Sequence, residues 1–128
     1  MTYDITGELL ISLAAAGALG ALLRYAFDNL VHRLYTTRYP SGILLVNLSG
    51  AFFAGWLAAS AATGLVTEQQ HIILAVGFAG SYTTFSGWMV QTVELALAGV
   101  WGQAFSNIML HVVFGWLLTM AGLWLGAG

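Results

Sequence analysis

Charged side chains are scarce in this chain. Only 6% of its 128 residues are Asp, Glu, Lys or Arg, and lysine is absent altogether. A soluble domain usually has about a quarter of its residues charged, so the polar surface that water requires is missing. The formal net charge of −2 also argues against a nucleic-acid partner, because phosphate binding needs clustered lysine and arginine.

Cysteine is absent too, which excludes disulfides, thiol nucleophiles and iron–sulfur ligation. The three histidines, His32, His71 and His111, lack the i, i+4 spacing of a helical zinc site. The carboxylates form no paired acids, and no arrangement of a nucleophile with a base stands out. We therefore expect that the chain is not an enzyme, which leaves transport or membrane assembly.

Apolar residues make up 59% of the chain and fall into four long stretches separated by short polar segments. A helix needs about 20 apolar residues to cross a bilayer, and each stretch is long enough. The sequence therefore predicts an all-α, multi-pass membrane protein, with one four-helix transmembrane domain over residues 1–128. The predicted spans are about 7–27, 41–63, 70–98 and 104–126.

The third stretch contains Gly77-Phe-Ala-Gly80-Ser-Tyr-Thr83-Thr84, a poor run for a continuous helix. Non-helical backbone is tolerated inside a bilayer only where it is buried in protein or lines a cavity. Carbonyls freed there can coordinate a hard cation such as Na⁺, although a plain glycine kink would give the same pattern. We expect a break near residues 77–84, so that the third helix is two half-helices.

Among the polar side chains within or at the end of the apolar stretches are Asn47, His111 and Arg24. Intramembrane polar residues tend to face a bundle interior or a water-filled path, so Asn47 and His111 are candidates both for interhelix contacts and for pore lining. His111 could also make a path sensitive to pH. Arg24 could extend to the membrane surface, lie in a vestibule for anions or bind carbonyls at the break.

Hydroxyl and aromatic residues follow the break: Thr84, Phe85, Ser86 and Trp88. Phe85 and Trp88 are three residues apart and share a face if the helix has resumed. Because an aromatic ring has a positive edge, two rings presented edge-on could receive an anion without a fixed positive charge, and the hydroxyls would add donors. Aromatic residues that pack or face lipid would have the same spacing.

The strong positive charges are Arg24, Arg33 and Arg38, all in or beside the first connection. Under the positive-inside rule that connection leans towards the cytoplasm. The bias is small, so insertion in either orientation, or dual topology, stays open.

Taken together, these segments resemble the Fluc fluoride channels, also called CrcB-like proteins. The resemblance covers essentially the whole chain. It is carried by Gly17-Ala-Leu-Gly20-Ala-Leu-Leu-Arg24-Tyr25 in the first stretch, by Pro40-Ser-Gly42 and Val46-Asn47-Leu-Ser-Gly50 in the second, and by Gly77-Phe-Ala-Gly80-Ser-Tyr-Thr83-Thr84-Phe85-Ser86 in the third. Three motifs in the same order and spacing are far more specific than any one of them.

The resemblance implies passive, selective export of fluoride across the cell inner (plasma) membrane, through an antiparallel dimer of four-helix subunits with two anion paths. It implies a structural Na⁺ at the dimer interface, held by the backbone carbonyls of Gly80 and Thr83. Asn47 matches the family's pore asparagine, Phe85 its first pore phenylalanine and Arg24 its arginine. The implied partners are fluoride, the lipid bilayer and a second copy of the chain, or a homologue in a heterodimer.

The chain departs from the family pattern at four positions. Trp88 stands where a second phenylalanine is usual, Gln91 where a glutamate is frequent, His111 where a hydroxyl residue is common, and Asn107 at a tyrosine position. Each of these changes concerns the same anion path. The predicted pore lining is therefore Asn47, Thr84, Phe85, Ser86, Trp88, Gln91 and His111, with altered conduction expected.

Two alternatives stay open. The chain could be a non-conducting or accessory subunit that works only beside a more typical homologue. It could also be a small proton-coupled transporter, although the absence of a mid-membrane Asp or Glu argues against this.

Overall fold

The computed structural model describes residues 4–36 and 39–128, and this part of the chain forms helices and no strands. Arg38, one of the arginines behind the predicted orientation, lies outside the described residues. The α-helices are α1 (Gly7–Leu34), α2 (Ser41–Ala62), α3 (Glu68–Ile72), α4 (Gly80–Tyr82), α5 (Phe85–Leu97) and α6 (Trp101–Ala127), with a π-helical segment, Ile73–Ala79, between α3 and α4.

Four stretches are long and apolar enough to cross a membrane: Gly7–Leu34, Ser41–Ala62, Glu68–Leu97 and Trp101–Ala127. The predicted all-α architecture with four spans is confirmed, and the chain is a multi-pass membrane protein. Within the described residues, large apolar side chains are exposed along every span. This exterior suits lipid or a second subunit, since hydrocarbon does not penalise it as water would.

The first helix is longer than the predicted span, because it continues past residue 27 to Leu34. The side chain of Thr6 caps its start by accepting a hydrogen bond from the Leu9 backbone N–H at 3.2 Å, as an N-cap threonine does. His32 and Arg33 lie in its last turn, where positive charge complements the helix dipole. The charged residues therefore mark the end of the apolar stretch, but the helix itself continues to Leu34.

The third span is more helical than the sequence predicts. Only Thr83 (φ −82°, ψ 159°) and Thr84 (φ −147°, ψ 118°) are extended, so the break is narrower than residues 77–84. In the π segment the turns are wide, and the Gly80 N–H reaches the carbonyl of Ala75, five residues back. Such segments occur frequently at functional sites.

Glycines allow the closest helix contacts. α2 packs most extensively against α6, and a Cβ on Gly55 or Gly122 would collide with the backbone of the facing helix. α1 meets the π segment in the same way, since a Cβ on Gly20 would strike the carbonyl of Phe78. Small residues let backbones approach where packing drives association in lipid. This contact helps to hold the glycine-rich third span helical as far as Tyr82.

Candidate functional site

The break in the third span is held by the side-chain amide of Asn47 on α2. Its Nδ2 donates to the Thr84 carbonyl at 3.0 Å, and its Oδ1 accepts from the Thr84 backbone N–H at 2.9 Å. Both polar groups of an extended residue are thereby satisfied by one side chain, as the interior of a membrane protein requires. Asn47 thus holds the third span to α2 at the point where the helical bonding stops.

Beyond the break, Thr84 also starts α5. Its Oγ1 accepts from the Gly87 backbone N–H at 3.1 Å and lies 3.2 Å from the Ser86 hydroxyl. Before the break, the Thr83 hydroxyl donates to the carbonyl of Ala79 at 2.9 Å. The two threonines therefore have separate tasks, one closing the upstream half-helix and the other capping the downstream one.

Two carbonyls upstream of the break differ in their partners. The Thr83 carbonyl receives a long hydrogen bond from Arg24 Nη1, at 3.4 Å, so Arg24 binds a carbonyl at the break. The Gly80 carbonyl loses its i+4 donor, because the Thr84 N–H turns to Asn47 instead. Gly80 is exposed on the subunit surface, and among the described residues no backbone N–H outside the helices donates to its carbonyl.

A groove of about 420 Å³ runs beside the break. Its walls are mostly small residues of α2, the π segment and α6, among them Ala51, Ala75 and Gly115. The groove brings together five of the predicted pore residues, which are Asn47, Thr84, Phe85, Trp88 and His111. Gly80 and Thr83, the predicted Na⁺ ligands, line the same groove.

Three aromatic rings follow one another along this groove. Phe85 lies edge-on to Trp88, with ring centroids 5.5 Å apart at 89°. Trp88 stacks on His111, with centroids 4.5 Å apart at 17°. Phe85 is 70% exposed, whereas His111 is 8% exposed, so the row leads from the subunit surface into the α5–α6 interface.

A chain of hydrogen bonds supports the inner end of that row. The Thr92 hydroxyl donates to the Trp88 carbonyl at 2.8 Å and accepts from Asn107 Nδ2 at 2.9 Å. His111 Nδ1 bonds the Asn107 carbonyl at 2.8 Å. Thr92 was not among the residues predicted from sequence, because a threonine in a helix carries no signal of a partner 15 positions away.

Two predicted pore residues lie away from the groove. Ser86 lines a neighbouring cavity of about 370 Å³ together with Arg24 and Asp28. Gln91 lines a third cavity with His32 and Glu94, near the α5 C-terminal end. Within one subunit, Ser86 and Gln91 therefore do not line the same cavity as the other predicted pore residues. Their role in an anion path stays a prediction.

Comparison with known proteins identifies the group to which this fold and site belong. A family model described as CrcB-like protein, Camphor Resistance (CrcB), matches residues 11–123. The chain belongs to the CrcB-like family. The resemblance read from the Arg24, Asn47 and Gly77–Ser86 motifs is therefore confirmed.

Curated relatives of this family cover almost the whole chain. A protein of Dehalococcoides mccartyi named fluoride-specific ion channel FluC is 37% identical over 125 residues, 94% of this chain and 93% of the relative. One of Sulfurovum sp. with the same name is 36% identical over 117 residues, 91% and 92% of the two chains. Fluoride-specific ion channel FluC 2 of Mycobacterium tuberculosis is 35% identical over 122 residues, 94% and 93%. These relatives are named as channels, in keeping with the expectation of a protein that is not an enzyme.

Proposed function

We propose that this protein is a passive fluoride-selective channel that exports fluoride from the cytoplasm. The observation that carries the proposal is the groove beside the Thr83–Thr84 break, where an amide, a hydroxyl and aromatic rings line one continuous surface. The relatives' names as fluoride-specific channels support the choice of ion.

The chemistry of the groove suits an anion that must bind and leave again. The residues lining it include no fixed positive charge, so no single strong trap is present. Asn47 uses one N–H on the Thr84 carbonyl and retains a second donor, because its amide carries two. Weak donors and positive ring edges can replace part of the hydration shell while binding stays loose enough for conduction.

The exposure of residues beside the groove supports a functional channel made of two subunits. Phe85 is 70% exposed, and Gly80 is exposed beside it, although both belong to the most specific motif of the chain. A second copy packed against this face would close the open groove into a path. An antiparallel arrangement also agrees with the weak arginine bias, because each subunit could insert in either orientation.

The backbone carbonyls of Gly80 and Thr83 are chemically suitable ligands for a structural Na⁺. Gly80 offers a carbonyl without its helical donor, and neutral oxygens suit a hard cation. The Thr83 carbonyl carries a long contact from Arg24 and has a second lone pair for a metal. When bound, Na⁺ would supply a positive centre that holds oxygen ligands together. In this proposal Gly80 and Thr83 of each subunit hold it at the dimer interface.

A fluoride-electrode measurement tests the proposal. The purified protein is reconstituted in liposomes loaded with potassium fluoride, and efflux is started with valinomycin so that potassium balances the charge. We expect fluoride to leave without any imposed proton gradient and far faster than chloride in matched liposomes. Equal rates for the two anions would refute selectivity, and release no faster than from protein-free liposomes would refute channel activity.

The same sample distinguishes the accessory-subunit alternative. Its mass in detergent or lipid reports whether the chain forms a dimer alone. A monomer, or a dimer that does not conduct, would indicate that the chain needs a homologue as a partner.

A further inference from the structure

Three buried polar atoms where α5 meets α6 have no hydrogen-bond partner within the described residues: Trp88 Nε1, Asn107 Oδ1 and His111 Nε2. Burying one such group without a partner costs about 1–3 kcal/mol. Asn107 is 0% exposed and His111 8%, so neither faces the lipid or the solvent. A cluster of this kind is suited to an occupant that supplies the missing bonds.

The hydrogen bonds around the cluster fix the donor and acceptor roles of the Asn107 and His111 side chains. The carbonyl of Trp88 can only accept a hydrogen bond, so the Thr92 hydroxyl donates its proton to this carbonyl. The same hydroxyl must therefore accept the hydrogen bond from Asn107 Nδ2. The carbonyl of Asn107 also only accepts, so the proton of a neutral His111 lies on Nδ1. His111 Nε2 is consequently a bare lone pair when the ring is neutral, and Asn107 Oδ1 is the amide oxygen rather than its nitrogen.

This count decides which occupant the cluster favours. With His111 neutral, the three orphaned atoms comprise one donor, Trp88 Nε1–H, and two acceptors. Two acceptors beside a single donor disfavour a bare anion. A proton on His111 Nε2 changes the balance to two donors and one acceptor, and both donors belong to rings stacked 4.5 Å apart.

We propose that Trp88 and His111 form a fluoride subsite that fills together with one proton on His111 Nε2. The balance is simple: one proton from solvent adds to the imidazole, and one fluoride ion accepts hydrogen bonds from the indole N–H and the imidazolium N–H. No covalent bond to carbon forms or breaks. The proton stays on His111 while fluoride ions pass, so fluoride alone carries the current. This inference rests on the proposed function and adds to it an acid-activated step.

His111 is the titratable group of the groove. α2 (Ser41–Ala62) contains no Asp, Glu, Lys, Arg, His or Tyr, and α6 contains none besides His111. On α5 the charged residue is Glu94, which is exposed and lines a separate cavity with His32. The π segment and α4 present Ala75, Ala79 and Gly80 to the groove. Arg24 reaches the groove lining only through the Thr83 carbonyl.

The first test is the pH dependence of fluoride efflux, with equal pH on both sides and valinomycin present. Leak from protein-free liposomes is subtracted at each pH, because undissociated acid crosses lipid. We expect protein-mediated efflux to rise several-fold as the pH falls from about 8 to about 5.5, because a lower pH favours the protonated form of a histidine. His111→Asn keeps a donor that does not titrate and should flatten this profile. Trp88→Phe should keep the slope and lower the flux, because it removes only the indole donor.

The second test does not depend on transport. Protein labelled with ¹⁵N at histidine is titrated with sodium fluoride at a fixed pH near 7, and the imidazole ¹⁵N shifts are followed by NMR. We expect fluoride to move the His111 Nε2 signal towards the protonated form, whereas sodium chloride leaves it unchanged. His32 and His71, which lie outside the groove, serve as internal references. Assignment follows from the signal lost in His111→Asn.

The outcomes separate the inference from the proposed function. Efflux no faster than the protein-free leak at every pH would overturn the channel itself. Fluoride efflux with the same pH profile in wild type and His111→Asn, together with a His111 signal that ignores fluoride, would overturn the subsite and leave the channel standing. A rise at low pH that persists in His111→Asn would also overturn it, since the proton would then act elsewhere.

Discussion

Asn47 binds both backbone polar groups of Thr84, across 37 residues of sequence and between two different spans. The amide supplies one donor and one acceptor in the geometry that a neighbouring peptide would supply. This pairing permits two extended residues in the middle of a transmembrane helix. It also leaves the Gly80 carbonyl without its i+4 helical donor, because the Thr84 N–H bonds Asn47 instead.

Asn47→Ala should therefore damage the fold at the break and the activity together. Both Thr84 groups would lose their partners, each at a cost of about 1–3 kcal/mol where the group stays buried. We expect a lower melting temperature and a loss of fluoride efflux. Asn29→Ala on α1 is the matched control, because the Asn29 side chain makes no hydrogen bond within the described residues. Unchanged thermal stability of the Asn47 variant would contradict the assigned role.

The glycine contact between α2 and α6 gives a second prediction. A Cβ at Gly122 would collide with the Phe52 carbonyl and crowd the Trp56 nitrogen at 2.8 Å. Gly122→Ala should therefore destabilise the subunit by about 1–3 kcal/mol, as overpacking does. Gly102→Ala in the same helix meets nothing within 4 Å and should be neutral or slightly stabilising. Thermal unfolding of the two variants in one detergent checks the difference.

The four spans could be predicted from sequence because each depends only on local apolar length. The two hydrogen bonds between Asn47 and Thr84 could not be predicted, because they depend on which helices become neighbours. The extent of the break was overestimated for a related reason. Gly77 and Gly80 lower the helix propensity, but close packing of α1 on the π segment overrides that local preference.

The candidate site was predicted in part for the same reasons. Motif spacing placed Phe85 and Trp88 on one side of α5, and the structure brings them into contact. The Thr92–Asn107–His111 chain joins two helices, and a single sequence does not indicate such a pairing. Ser86 and Gln91 share the sequence neighbourhood of the groove but project into other cavities, since successive helix positions turn by about 100°.

Removal of Na⁺ should weaken the assembled protein if Gly80 and Thr83 bind it. A ligand present at about 100 times its dissociation constant stabilises the bound state by about 2.7 kcal/mol. We therefore expect a higher melting temperature in sodium than in N-methylglucamine buffer of equal ionic strength. The monomer–dimer balance should shift towards the dimer in sodium. Identical melting and assembly in the two buffers would exclude a structural Na⁺.

Phe85 offers the sharpest test of an anion path made by ring edges. It is 70% exposed in the subunit and contributes its ring to the groove, so it adds little to the subunit's own core. Phe85→Ile keeps an apolar side chain and removes the positive ring edge. We expect fluoride efflux to fall by about tenfold, the factor that about 1.4 kcal/mol of lost anion stabilisation produces.

The matched control for Phe85 is Phe105→Ile on α6. Phe105 is 64% exposed and is not part of the groove lining, so its replacement should leave efflux near the wild-type rate. Both variants are measured at equal protein density in the liposomes, and their dimer mass is compared first. If both variants dimerise and the Phe85 variant still conducts at the wild-type rate, the ring edge has no part in permeation. The path must then rely on the Asn47 amide and the Thr84 hydroxyl, because these are the remaining donors that line the groove before Trp88.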